Sequence, residues 1–216
     1  MRKGYITQDE MNIITDTVLA KAGLPTTWQG AVSKTDIDAL IEFEYGIDIV
    51  WENIDHFAPS EDVFAALMPK QKVIYMNEGK RELFIKKMGT MNFSKAHELG
   101  HWILHITEQR EYEQLTFSEN QTYFCRSVSK KHPQEIQADM FAASILMPKD
   151  IITCAINKLK DRGRVTFPNL YRLRDEFEVS ISALTIRIQE LKLLYITAEK
   201  EIFFNEAEAI GQMSLI

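Results

Sequence analysis

Cysteine is scarce in this chain. It has two in 216 residues, Cys125 and Cys154, far apart and in no paired ligand motif. That argues against a disulfide framework and a paired-cysteine metal site, and it fits a reduced, cytoplasmic setting. Long apolar runs are missing as well. Nothing approaches the roughly 20 residues of a transmembrane helix, so no membrane association is expected. The opening MRKGYITQDEMNIITDTVLA lacks the unbroken apolar stretch of a signal peptide. Excess positive charge is absent too: 25 Lys or Arg stand against 31 Asp or Glu, a net charge of −6, which excludes general adhesion to nucleic acid. There is no internal repeat and no low-complexity tract.

What the chain does hold is 45% hydrophobic and 26% charged residues, enough for one domain with a small appendage. Thr7-Gln-Asp-Glu10 reads as a capping box opening a helix that Gly23 and Pro25 close. A second helix is expected from about Lys34 to Tyr45, stopped by Gly46. IDIVWENI, then EDVFAALMP and KVIYMNEG joined near Pro69, read as three short strands. Helical periodicity dominates from Arg81 onward. MNFSKAHELGHWILHI has apolar Phe93, Ala96, Leu99, Ile103 and Leu104 on one stripe and histidines on another. HPQEIQADMFAASILMPKD is a further helix, with Pro133 near its first turn and Pro148 at its end. The residues between, about 108 to 131, read as a polar loop.

Three of the five histidines recur four residues apart: His97, His101 and His105. Residues four apart share a helix face, so His97 and His101 can turn both imidazoles toward one ion, and zinc favours such nitrogen ligands. Glu98 is rotated roughly 100° from His97. It stays out of the ligand set yet near the water of an open coordination position, placed to take that proton and return it to a leaving amine. This is the H-E-x-x-H arrangement. Catalytic zinc sites of this kind use two His and one Glu. The helix after Pro133 offers Glu135 as third ligand and Asp139, four residues on, to accept an N–H from a ligand histidine. The competing reading of both is a solvated acidic stripe. His105 lies about 12 Å along the helix from His97, too far to share the ion, and is assigned a packing or hydrogen-bonding role. His132 is free to touch substrate or merely to precede the Pro133 turn. His56 has no evident partner.

FSKAHELGHWILH, followed about thirty residues later by EIQADMFAASILMP, resembles the ImmA/IrrE family of metallo-endopeptidases, whose two helices read A-H-E-x-G-H and E-x-x-A-[ND]-x-F-A-x-x-L-[LM]-x-P. The resemblance runs from about Val63 to Ile152. It implies His97, His101 and Glu135 as zinc ligands, Glu98 as general base, and an α+β, mostly helical zincin-like fold. A small antiparallel sheet is expected before the active-site helix and a helix-turn-helix-like hairpin at the C-terminus. Domains are expected at 1–152 and 153–216. It further implies cleavage of a helix-turn-helix transcriptional repressor, releasing mobile-element or stress genes. One departure is that Gly89-Thr90-Met91-Asn92 stands where many members carry an arginine.

The segment FPNLYRLRDEFEVSISALTIRIQELKLLYI (167–196) reads as two helices joined near Glu178-Val179-Ser180, with Leu170, Leu173 and Phe177 facing Leu184, Ile188 and Leu191. It is either a docking surface for DNA or repressor, or a hairpin that completes the core. The second is preferred, because from Ile156 to Tyr195 only 8 Lys or Arg stand against 5 Asp or Glu, and phosphate binding needs several cationic contacts. Cys125 reads as a small buried hydrophobe ahead of a metal or redox role. Tyr112 and Tyr123 are candidate donors to an oxyanion. The alternative to a protease is a non-cleaving, zinc-stabilised protein that binds a repressor or DNA.

Overall fold

The computed structural model describes residues 5–57, 62–106, 123–126 and 132–213, with 123–126 described by their backbone. The fold is α+β and mostly helical. It divides into two compact units, Met1–Met11 with Asp36–Ala142, and Asn12–Thr35 with Ala143–Ile216.

In the first unit the capping box at Thr7 forms as its residues dictate: Glu10 Oε2 accepts from the Thr7 N–H at 2.8 Å, and Thr7 Oγ1 from the Glu10 N–H at 3.3 Å. These bonds satisfy otherwise orphan donors at the start of α1, Gln8–Lys21. The second helix begins later than its apolar pattern indicates. Asp36 caps it by accepting from Ala39 N–H at 3.0 Å. The α-helical part, α2, is only Ile37–Ala39 before a π-helical turn over Leu40–Glu44.

The sheet consists of β1 Asp48–Glu52, β2 Val63–Met68, β3 Val73–Asn77 and β4 Tyr123–Arg126, in the order β1-β3-β2-β4. β2 and β3 form the expected antiparallel hairpin, Ala65 opposite Met76, through a tight turn in which Lys72 takes φ 54°. The expectation of a purely antiparallel sheet placed wholly before the active-site helix needs correction in two respects. β1 runs parallel to β3, with Ile49 beside Ile74, because the chain crosses over between them instead of turning tightly back. β4, from within the stretch read as polar loop, pairs antiparallel with β2 as the other edge. Its few residues between long polar flanks carry no readable alternation.

Against this sheet lie α3, Arg81–Lys86, and α4, Met88–His101, which passes directly into a π-helical turn over Trp102–Ile106. α5 is Pro133–Leu146. Ala96 and Leu99 of α4 and Ala138, Phe141 and Ala142 of α5 are buried, and the two helices approach closely at Gly100. A Cβ there would stand 3.1 Å from Phe141 Cδ1 and 3.3 Å from Ala138 Cα. Any larger residue would push α5 away from the histidines.

The second unit contains α6 Lys149–Asp161, α7 Phe167–Phe177, α8 Ile181–Glu190, a two-stranded sheet of β5 Tyr195–Ile196 with β6 Ile202–Phe203, and α9 Glu206–Met213. The helical hairpin is the one its periodicity predicts. Leu170, Leu173, Phe177, Leu184 and Ile188 are buried. α7 closes at Glu178 in the left-handed conformation, and Ser180 caps α8 by accepting from Ala183 N–H at 3.0 Å. Buried Arg187 donates to Asn12 Oδ1 at 2.7 Å and to the Met147 carbonyl at 3.3 Å. No helix of the described residues is long and apolar enough to cross a membrane.

Candidate metal centre

α4 presents His97 and His101 one turn apart, both almost fully buried, with Glu98 at 0% exposure between them. Polar side chains this deep carry a large desolvation cost unless each meets a partner. α5 supplies partners to the two histidines. Glu135, in its first turn, places Oε2 3.3 Å from His97 Nε2 and Oε1 3.2 Å from His101 Nε2. The two Nε2 atoms are themselves 3.0 Å apart. Asp139, one turn along α5, places Oδ1 3.0 Å from His97 Nδ1. An ionised carboxylate can only accept, so His97 donates its Nδ1–H to Asp139, which leaves Nε2 as the nitrogen available to a metal.

The charge states agree with this geometry. Burial lowers the His101 pKa, against the opposing pull of Glu135, so the ring is neutral at neutral pH. Burial by itself would raise the Glu135 carboxyl. Its hydrogen bonds with His101 and His97, and the charge interactions with both rings, outweigh that and hold it well below the usual carboxylate range. Two imidazole nitrogens and a carboxylate therefore converge, each residue offering one donor atom, with all three atoms inside 4.8 Å of one another. This is a set that could hold a metal ion, and a neutral His101 and an ionised Glu135 are the forms that ligation requires.

His105 is separate from that cluster. It lies in the π-turn below His101, 8% exposed, with Nε2 3.3 Å from the Gln134 carbonyl and its ring centroid 5.4 Å from that of His101. His132 is exposed ahead of α5, where its carbonyl accepts from Ile136 N–H at 3.1 Å. His56 is also exposed, its ring edge-on to Phe57 at 4.6 Å. Cys125 and Tyr123 belong to β4, whose side chains lie outside the described set, as does the whole of Tyr112.

The apolar pattern of the same helix did not indicate one ion pair, made by a buried lysine with an exposed aspartate. Lys95 is 3% exposed, and its Nζ meets both oxygens of Asp38, at 2.7 and 2.8 Å. Its position four residues before Leu99, on the apolar stripe of α4, was the available signal.

A helix bearing two imidazoles and a buried glutamate, beside a second helix bearing a carboxylate, makes a cluster that could hold a metal ion. The family comparison agrees: residues 44–189 match the model of the IrrE N-terminal-like domain. The chain belongs to that peptidase family. The match reaches beyond the two helical motifs at both ends. Among solved structures, a Mycobacterium tuberculosis transcriptional regulator is similar at 13% identity and a TM-score of 0.49, over 83% of this chain and 46% of that one. The chain thus spans less than half the length of that regulator. No curated protein matches it.

Proposed function

We propose that this protein is a zinc-dependent endopeptidase whose ligands are His97, His101 and Glu135 and whose general base is Glu98, acting on a helix-turn-helix repressor. The donor geometry carries this reading. The two Nε2 atoms stand 3.0 Å apart, with one Glu135 oxygen 3.3 Å from that of His97 and the other 3.2 Å from that of His101, and ligands about 2.0–2.1 Å from a tetrahedral zinc are roughly 3.3 Å from one another. Three protein ligands leave a fourth position open, as catalytic zinc requires.

Zinc, when bound, supplies Lewis-acid polarisation of the scissile carbonyl and acidifies a water molecule. The protein's own residues do the rest. Asp139 accepts the Nδ1–H of His97 and so keeps its Nε2 lone pair directed inward. Glu98 takes the proton of the attacking water and delivers it to the departing amine. The close packing of α4 and α5 at Gly100 maintains the separation between the histidines and Glu135.

The substrate class is supported by charge. The unit that holds the site carries 13 Lys or Arg against 20 Asp or Glu, a net of −7, while the other unit carries 12 against 11, a net of +1. An acidic peptidase unit attracts a basic partner, and a repressor that neutralises DNA phosphates is basic. The test is to incubate the zinc-loaded protein with candidate helix-turn-helix repressors and to follow cleavage by intact-mass spectrometry. One cut that a chelator abolishes and zinc restores is the expected result. Tight binding of the repressor without any cut would favour the non-cleaving, zinc-stabilised binding protein instead.

A further inference from the structure

Glu135 is brought to the histidines by α5, and its position therefore depends on whatever holds the first turn of that helix against α4. The described residues include a polar tether there, apart from the contacts of Glu135 and Asp139 themselves. Immediately after His101 the helix widens from α to π over Trp102–Ile106. The additional residue in each hydrogen-bonded loop resets the angular position of the side chains that follow. It swings His105 under His101, where its Nε2 reaches the carbonyl of Gln134 at 3.3 Å. Gln134 directly precedes Glu135. A carbonyl only accepts, and its second lone pair is available beside the helical bond, so His105 holds a proton on Nε2 and donates it. Rings 97, 101 and 105 follow one another in a buried row, the first pair edge-on at 4.7 Å and the second tilted at 5.4 Å between centroids, which leaves His105 little rotational freedom.

We propose that His105 is a positioning residue of the metal centre. By donating to the Gln134 carbonyl it fixes the first turn of α5, and so holds the Glu135 carboxylate within reach of both histidine Nε2 atoms. This rests on the metal-site reading above, and it concerns the protein's own geometry and not a step of the reaction.

The test contrasts two amides of different reach. In His105→Gln the amide nitrogen falls near the place of Nε2 and can still donate to the carbonyl. In His105→Asn it falls short. Zinc affinity is measured by competition with a chromophoric chelator, and the cobalt-substituted forms are compared by visible absorption at saturating metal. The asparagine variant is expected to bind zinc roughly 10–100-fold more weakly, the range for residues that orient ligands, with an altered cobalt spectrum. The glutamine variant is expected to keep both properties.

Equal affinities and spectra in wild type and His105→Asn overturn the inference, as does an equal loss in both variants. Should His105→Asn not fold, His105→Gln decides: wild-type affinity sustains the inference, and weakening by tenfold or more overturns it. Wild-type protein that takes up no zinc overturns the metal-site reading itself, and the role of His105 with it.

Discussion

Nδ1 of His97 and Oδ1 of Asp139 lie 3.0 Å apart, on two helices, although the residues are 42 positions apart in sequence. That contact sets which nitrogen of His97 carries the proton, and hence which one is offered to a metal. Replacing Asp139 with Ala should weaken zinc binding roughly 10–100-fold while leaving the helical circular dichroism unchanged. Asp139→Asn retains an accepting oxygen and should lose much less. Equal losses in the two variants would mean that the negative charge, and not the hydrogen bond, is what matters.

Glu98 is fully buried on α4 between the two histidines. Glu98→Gln keeps its size and removes its basicity. Zinc content, measured by atomic absorption, should stay at one per chain. Cleavage of the repressor should fall by about 10²–10⁴-fold, the usual contribution of a general base. Undiminished turnover at full zinc occupancy would remove Glu98 from the proposed chemistry.

Gly100 sets two effects in opposition. Ala is favoured over Gly in a helix by about 1 kcal/mol, but its Cβ would meet the backbone of Ala138 at 3.3 Å and the ring of Phe141 at 3.1 Å. Backbone cannot yield by itself, and overpacking of this kind typically costs about 1–3 kcal/mol. Gly100→Ala should therefore destabilise the metal-free protein to chemical denaturation by up to about 2 kcal/mol, the difference of those two terms. It should also weaken zinc binding, because α5 carries Glu135 away. A variant as stable and as tight-binding as wild type would show that α4 and α5 have room to spare.

Asp16, in the second unit, is a site of pH-dependent stability. Burial raises its carboxyl pKa, with Arg187 pulling the other way, and Oδ1 is buried with no hydrogen-bond donor among the described residues. A raised pKa means that the folded protein holds this proton more tightly than the unfolded chain does. Its stabilising contribution is therefore present at low pH and is lost as pH rises through the folded-state value. Asp16→Asn should be more stable than wild type at pH 7, by roughly 1 kcal/mol on the scale of one uncompensated buried polar oxygen. The two proteins should converge below about pH 4, near the ordinary Asp value. Urea denaturation across that range measures the difference. A loss of stability at pH 7 would show that attraction to Arg187 outweighs burial.

The sequence is most legible where a period or a cap carries the information. The Thr7 box, the β2–β3 hairpin, α4, α5 and the α7–α8 hairpin all follow from patterns a few residues long. It is least legible where pairing is non-local. The parallel partnership of β1 and β3 follows from a crossover, and the short β4 from an edge that β2 leaves open, and neither leaves a periodic trace. The late start of α2 at the Asp36 cap and the π-turn after His101 are local features, but they were hidden because an unbroken apolar stripe reads as a regular α-helix.

By itself the sequence determined that His97 and His101 share a face and that Glu98 is turned aside from them, because helix geometry is local and its period is set by the backbone. It also placed Glu135 and Asp139 one turn apart on a second helix. Only the tertiary structure decided that these two faces meet. Glu135 lies 34 residues beyond His101, and its approach depends on a missing side chain at Gly100 that admits α5. The same packing gave the third histidine of HELGHWILH its own place: a π-turn carries His105 beneath His101 to the carbonyl of Gln134. Burial, which no local pattern specifies, then holds His101 neutral beside an ionised Glu135.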